Sequence, residues 1–116
     1  MSYEATELLV VRWGEARGII QNSDAKTQLL KAFSEMGELA DAITKRDRES
    51  IIDGLGDVLV CLTMVAAIED VDLKHCFQSA YEQIKDRKGF LNKEGVFVKD
   101  DQWPKESSRD GKSLVV

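Results

Sequence analysis

Carboxylate side chains recur at helical spacing in two neighbouring segments of the chain. Glu35 and Glu38 are three residues apart in the first segment, and Asp53 and Asp57 are four apart in the second. Residues three or four apart project from one face of an α-helix, so each pair presents two carboxylates on one side. Carboxylates that meet between two helices repel each other unless a cation lies among them. Mg²⁺ suits this role, because it prefers oxygen ligands and keeps waters that a substrate phosphate can replace.

The neighbours of these carboxylates favour a metal site without excluding an ordinary acidic surface. Glu38, Asp53 and Asp57 have no basic residue four positions to either side, whereas Glu35 has Lys31 at that distance. A solvent-exposed helical face usually carries such basic partners. Acidic residues at helical spacing are nevertheless more often a solvated face than a metal site. The residues by themselves leave both interpretations open.

Apolar periodicity and capping residues predict four helices that would position the carboxylates. Apolar residues recur at spacings of three and four, and capping residues stand at the expected helix ends. The predicted helices cover about 3–17, 25–45, 49–69 and 73–88. The residues of the third helix that are expected to face inward are Ile51, Ile52, Leu55, Val58, Leu59, Leu62, Val65 and Ala66. Since short connections favour antiparallel neighbours, the predicted fold class is all-α, an antiparallel bundle of about four helices.

Two glycines, Gly54 and Gly56, interrupt the third predicted helix beside the second acidic pair. Each glycine costs about 1 kcal/mol of helix propensity relative to alanine. We therefore expect another helix, or a ligand, to approach the backbone closely at these positions.

The character of the chain changes after the fourth predicted helix, which Gly89 is expected to end. Residues 90–98 predict a short C-terminal arm or hairpin with its turn at 93–95. Polar residues dominate from Lys99 onward. This change predicts a domain over 1–98 and a polar tail over 99–116, and we expect disorder at least beyond Ser107.

The composition disfavours several classes of protein. A chain of 116 residues with a formal net charge of −5 fits one compact domain and lacks the basic excess that nucleic-acid binding needs. Cys61 and Cys76 form no CxxC pair or Cys/His cluster, which disfavours zinc and indicates reduced thiols. The N-terminus lacks a signal-peptide pattern, and the apolar run Val58–Ile68 is too short to span a bilayer. We expect a cytoplasmic protein with no membrane partner.

Residues 28–43 and 52–60 together resemble the MazG-like nucleoside triphosphate pyrophosphohydrolases. The signature of that all-α family is EExxE on one helix and ExxD on the next. Glu35 matches the second Glu of EExxE, Glu38 matches the last, and Asp57 matches the Asp of ExxD. The wider resemblance, to the short and often phage-encoded members, covers about residues 10 to 98.

Two positions depart from this signature. Ser34 stands in place of the first Glu of EExxE, and Gly54 stands in place of the Glu of ExxD. Asp53 lies one residue before Gly54, and a helical side chain at that position can reach the same metal as Asp57. We therefore expect Asp53 to replace the missing Glu.

The resemblance implies hydrolysis of a (deoxy)nucleoside triphosphate to the monophosphate and pyrophosphate, with Mg²⁺ as cofactor and Mn²⁺ as an alternative ion. It implies four metal ligands, Glu35, Glu38, Asp53 and Asp57. Glu38 is also the expected general base for the attacking water. It further implies a homodimer or homotetramer, and the small size of the chain favours such an assembly.

The expected substrate-binding residues are Lys31, Lys85 and Arg87 for the phosphates and Trp13 for the base. Two of these residues have an ordinary structural explanation as well. Lys85 suits the exposed end of a helix, where cations complement the helix dipole. Trp13 suits core packing or a contact between subunits on an amphipathic first helix.

Two alternatives remain open at the level of sequence. One is a relative of narrower specificity, such as a dUTP or dCTP diphosphatase or a phosphoribosyl-ATP pyrophosphatase. The other is a catalytically silent helical dimer that acts as a protein-interaction module, which the departures at Ser34 and Gly54 favour and the acidic residues that remain disfavour.

Overall fold

Five helices and a small hairpin make up the protein in a computed structural model that describes residues 1–100. The elements are α1 (Tyr3–Ala16), α2 (Ile19–Asn22), α3 (Ala25–Lys45), α4 (Arg48–Ile68), α5 (Leu73–Ile84), β1 (Gly89–Leu91) and β2 (Phe97–Lys99). The predicted all-α class and the C-terminal hairpin are confirmed. The chain forms two compact units, and the boundary between them falls inside α5, between Phe77 and Gln78.

Aspartate side chains cap the starts of three helices. Asp24 accepts a hydrogen bond from the backbone N–H of Thr27 at 2.7 Å, and Asp47 accepts one from that of Ser50 at 3.3 Å. These bonds, together with bonds from the side chains of the same partners, hold the pKa of both carboxyls below the ordinary value. Asp72 accepts from the backbone N–H of Lys74 at 3.0 Å. Free N–H groups at a helix start need such acceptors, so these residues fix where α3, α4 and α5 begin.

A tight turn joins α3 to α4. Arg46 adopts a left-handed conformation with φ of 59°, and the backbone N–H of Asp47 donates to the carbonyl of Ala42 at 3.0 Å. The N–H of Arg46 donates to the carbonyl of Ile43 at 3.1 Å, which completes a Schellman motif. Arg46 and Asp47 alone separate two helices of 21 residues each, so the acidic segments lie on directly connected helices.

Helix α4 is central in the first unit, because α1, α2 and α3 all pack against it. Its buried side chains include Cys61, Met64 and Ala66, and Ala32 and Ala42 are the buried residues of α3. Gly14 of α1 is also buried, and a Cβ at that position would lie 2.9 Å from Met64 Cε. Small residues at these contacts let the helices approach closely.

The prediction that Ile52, Leu55 and Leu59 face inward is wrong for the single chain. Ile52 and Leu55 are each 59% exposed, and Leu59 is 42% exposed. Several large apolar residues of α3, among them Leu30 and Phe33, are exposed as well. Helical periodicity identifies an apolar face, but it does not tell whether the same chain covers that face.

Two other differences concern elements. Helix α2 was not predicted, because a single turn between Gly18 and Ser23 is too short to show a helical period. Helix α5 ends at Ile84 rather than near Lys88. The chain from Lys88 onward belongs to the hairpin instead, since the Lys88 carbonyl accepts a hydrogen bond from the backbone N–H of Asp100 at 3.0 Å. The expected disordered tail lies outside the described residues, and the division into 1–98 and 99–116 stays a prediction.

By length and composition alone, α4 is the one helix of residues 1–100 that could cross a membrane, with a mean hydropathy of 2.1. The apolar run considered from the sequence, Val58–Ile68, is only its second half. The first half carries Asp53 and Asp57, and a central carboxylate costs roughly 2.5–3.5 kcal/mol on insertion into a bilayer. The cytoplasmic location and the absence of a membrane partner stay predictions.

Candidate active site

A polar cavity of about 380 Å³ lies between α3 and α4. Three of the four predicted metal ligands border it, Glu38 from α3 and both Asp53 and Asp57 from α4. The other lining residues are Asp41, Ala42, Lys45, Asp47, Ser50 and Gly54. The structure thus brings the two acidic segments to one cavity, which we call the polar cavity.

Gly54 accounts for the closeness of the two helices beside this cavity. A Cβ at Gly54 would lie 3.1 Å from Cδ1 and 3.4 Å from the Cα of Leu39 on α3. The close approach expected at Gly54 is therefore confirmed, and Leu39 would have to shift to make room for a side chain in its place. No helix approaches Gly56, since nothing lies within 4 Å of a Cβ built there, and the alternative that a ligand does so stays a prediction.

Glu35, the fourth predicted ligand, does not line the polar cavity. Its carboxylate pairs with the Lys31 ammonium at 3.4 Å, and its side chain is only 13% exposed. Burial raises the pKa of the Cys61 thiol, and the charges of Glu35 and Asp57 raise it further while Lys31 opposes them. Glu35 therefore lies near Cys61, and the charges of Glu35 and Asp57 act on the same thiol.

The carboxylates surround a space and do not form a closed cage. Among residues 1–100, no group of three or more His, Cys, Asp or Glu side chains is close enough together to hold a metal ion. The donor set still fits Mg²⁺, because every acidic group that borders the polar cavity offers carboxylate oxygen. Mg²⁺ usually takes only one or two protein carboxylates and completes its shell with water and substrate phosphate.

A second cavity of about 380 Å³, which the sequence did not reveal, lies between α1 and α4. We call it the α1–α4 cavity. Asp53 and Asp57 border it as well as the polar cavity, so the two spaces share a wall. The remaining lining residues are Tyr3, Thr6, Glu7, Val10, Ile52, Gly56, Leu59, Val60 and Thr63.

The predicted substrate-binding residues have varied surroundings. Trp13 borders neither of these cavities, and the Arg17 guanidinium lies 4.9 Å from the centre of its ring. Lys31 is held by Glu35, as described above. In the second unit, the Lys85 ammonium pairs with Glu82 at 2.7 Å. Arg87 borders an open cavity there together with Gln83, Asp86, Lys88 and Asp100.

Sequence reasoning missed several residues that border the two cavities. Asp41 continues the row of Glu38 by one turn, as its spacing in the sequence indicates, but it was not among the predicted ligands. Asp47 sits in the turn between helices, where no periodicity gives a direction. Tyr3 and Glu7 come from α1, far away in the chain, and only the tertiary fold brings them beside Asp53.

Comparison with known proteins adds an independent observation. The family model for the MazG nucleotide pyrophosphohydrolase domain matches residues 23–90, which include both acidic segments. An uncharacterized 18.2 kDa protein from the rep-hol intergenic region of Haemophilus phage HP1 (strain HP1c1) is 29% identical over 63 residues. The matched region is 54% of this chain but 39% of the phage protein, so the chain spans about two fifths of that relative. No solved structure matches the chain.

Proposed function

Since the chain belongs to the family of MazG nucleotide pyrophosphohydrolase domains, we propose that it hydrolyses (deoxy)nucleoside triphosphates to the monophosphate and pyrophosphate with Mg²⁺. The observation that carries this proposal is the polar cavity, on which Glu38, Asp53 and Asp57 converge from two helices. Control of the nucleotide pool is the role that such a reaction would serve, in the cytoplasm.

The carboxylates of Glu35, Glu38, Asp53 and Asp57 would hold the ion, with Mn²⁺ as a substitute. When bound, Mg²⁺ neutralises phosphate charge and favours departure of pyrophosphate. Glu38, Asp53 and Asp57 are exposed to solvent around the cavity, which suits groups that must exchange water for substrate oxygen. Asp41 borders the same space and adds to its negative charge.

Glu38 is the residue that we assign as general base. A water oxygen attacks the α-phosphorus, the bond from that phosphorus to the bridging oxygen of the β-phosphate breaks, and Glu38 accepts the proton of the water. Pyrophosphate leaves and the nucleoside monophosphate remains. No covalent nucleophile of the protein is needed in this scheme.

Basic residues would balance the charge of the outer phosphates. Lys45 is the basic residue that borders the polar cavity, and it joins Lys31 as a candidate for this role in the first unit. Lys85 and Arg87 of the second unit stay proposed phosphate-binding residues, and Trp13 stays a proposed contact for the base. A homodimer or homotetramer is part of the same proposal.

The test is hydrolysis of a full panel of ribo- and deoxynucleoside triphosphates with Mg²⁺, with Mn²⁺ and with chelator. Monophosphate and pyrophosphate in equal amounts, formed only with the ion, are the expected products. Release of orthophosphate would contradict the proposed bond cleavage. Activity confined to dUTP, dCTP or phosphoribosyl-ATP would replace the broad assignment with a narrower one.

Thermal unfolding with and without Mg²⁺ and nucleotide gives a second readout. A ligand that binds only the folded state raises the unfolding midpoint by mass action. We expect an upward shift at millimolar Mg²⁺ with a triphosphate. No shift together with no hydrolysis would favour the silent interaction module.

A further inference from the structure

The α1–α4 cavity adjoins the polar cavity, and two side chains form their shared wall. Asp53 and Asp57 line both spaces and are exposed, so a ligand with its charged end at the polar cavity would reach the second space by passing over them. The volume of about 380 Å³ falls within the range of about 300–1,000 Å³ that is usual for small-molecule pockets.

The walls of the α1–α4 cavity suit a flat ring. Val10 of α1 and Ile52 and Leu59 of α4 give it aliphatic sides. Gly56 contributes no side chain, and nothing lies within 4 Å of where its Cβ would be. Glycine in the middle of a helix is costly, so an open position there fits a ligand that lies against the backbone.

Polar groups of α1 border the same space. Glu7 is half-buried and forms no salt bridge within the described chain, in which Lys74 pairs with Glu4 instead. Burial raises the pKa of Tyr3, and the negative charges of Glu7 and Asp72 raise it further. The phenol therefore keeps its proton and can donate a hydrogen bond beside the Glu7 carboxylate. The hydroxyl of Thr6 is already used, since it donates to the Ser2 carbonyl at 3.1 Å.

We infer that the α1–α4 cavity, rather than the surroundings of Trp13, holds the nucleobase of the substrate and that Glu7 and Tyr3 select guanine; this inference rests on the proposed function. A carboxylate offers only acceptors, and guanine is the common base that presents two adjacent N–H donors, the ring N1–H and the exocyclic amino group. The neighbouring O6 accepts the proton of the Tyr3 hydroxyl. Thymine and uracil present one N–H between two carbonyl oxygens, and the carboxylate repels those oxygens.

The test compares kcat/KM for dGTP and dTTP in the wild type, in Glu7→Gln and in Glu15→Gln. Glutamine keeps one acceptor but turns the other into a donor, which removes the paired acceptance and suits a thymine carbonyl. A hydrogen bond to a charged group contributes about 1.5–3 kcal/mol, so the dGTP-to-dTTP ratio should fall by about tenfold or more in Glu7→Gln. Glu15 is exposed on the same helix and borders neither cavity, so its variant should keep the wild-type ratio.

Two results would overturn the inference while leaving the proposed function intact. One is a wild type that hydrolyses both nucleotides equally well, as expected if a second copy of the chain covers the α1–α4 cavity. The other is a Glu7→Gln variant that folds, hydrolyses triphosphates and keeps the wild-type ratio.

Failure of the proposed function gives a different pattern. If the wild type hydrolyses no triphosphate, the cavity is tested by titration calorimetry with deoxyguanosine and thymidine monophosphates. Tighter binding of the guanine nucleotide that Glu7→Gln abolishes would support the base pocket. Equal affinity, or no binding of either, would overturn it.

Discussion

The two acidic residues of α3 have different surroundings although they are one turn apart. Glu35 is mostly buried and paired with Lys31, whereas Glu38 is exposed on the polar cavity. A group that takes a proton from water must be accessible to water, which is why we assign the base to Glu38. Glu35 is better suited to holding a fixed position.

Glu38→Gln is expected to reduce turnover by at least about 100-fold, the range that general base catalysis contributes. The substitution removes the charge with little change of shape at an exposed position, so the unfolding midpoint should stay close to that of the wild type. Steady-state hydrolysis and thermal melts check both points. Glu69→Gln, at the far end of α4, is the matched control and should keep full activity. Wild-type turnover in Glu38→Gln would place the base elsewhere.

Residue spacing predicted part of the candidate site. Helical spacing predicted that each pair of carboxylates shares a face, and the family resemblance predicted that both faces meet at one site. Of the four residues, Glu35 does not border the polar cavity. Asp47 borders the same cavity from the turn between the helices, where spacing carries no directional information. The contribution of Glu7 depends on how α1 packs on α4, which a local pattern does not specify.

At the scale of elements, capping chemistry made the helix boundaries predictable. Asp24 and Asp47 accept hydrogen bonds at the starts of α3 and α4, and the observed ranges lie within one residue of those predicted. The end of α5 was not predictable in this way. Pairing in the hairpin competes for the residues after Ile84, and that competition is not visible in helix propensity.

A substitution pair on α4 tests the close contact of the helices. Gly54→Ala gains helix propensity but forces its Cβ against Leu39, while Gly56→Ala gains propensity without any neighbour within 4 Å. We expect Gly56→Ala to raise the free energy of unfolding by about 0.5–1 kcal/mol. Gly54→Ala should be less stable than Gly56→Ala by about 1–3 kcal/mol, because overpacking opposes the gain. Urea denaturation of both variants measures this difference in the free energy of unfolding. Equal stability would show that Leu39 moves aside for the new methyl group without loss of stability.

The capping aspartates also predict a pH dependence of stability. Hydrogen bonds in the folded state lower the pKa of Asp24 and Asp47 below the value of 3.8. Their contribution is therefore present above that pH and is lost as the pH falls through the lowered pKa values. A double variant with Asp24→Asn and Asp47→Asn keeps an acceptor at each helix start but cannot titrate. Its unfolding midpoint should fall less than that of the wild type between about pH 5 and pH 2; parallel curves would contradict this account.

On the scale of the whole molecule, the exposed apolar residues of α3 and α4 stand out. Leu30, Phe33 and Leu55 are each more than half exposed. A large exposed apolar area on a soluble protein usually marks an interface. We expect a second copy of the chain to cover it, which would also explain why a clear apolar period in the sequence did not predict burial in the single chain.

Leu55→Glu is the variant that tests this expectation. A charge at the centre of a dry interface is unfavourable, whereas in the isolated chain the same side chain would be solvated. The wild type should elute as a dimer or tetramer in size-exclusion chromatography with light scattering, and Leu55→Glu should shift to the monomer. Lys26→Glu, a change on the polar start of α3, is the control for added negative charge. A monomeric wild type would contradict the expected assembly.

The two-residue connection between α3 and α4 limits how the chain can change in length. Each residue added within a helix rotates everything after it by about 100°. An insertion or deletion between Glu38 and Asp53 would therefore turn one row of carboxylates away from the other or break the Schellman motif at Arg46. The turn at Gly95, in contrast, belongs to a hairpin outside the first unit. Among related genes, alignment gaps should be rare between the positions of Glu38 and Asp53 and common at the turn around Gly95.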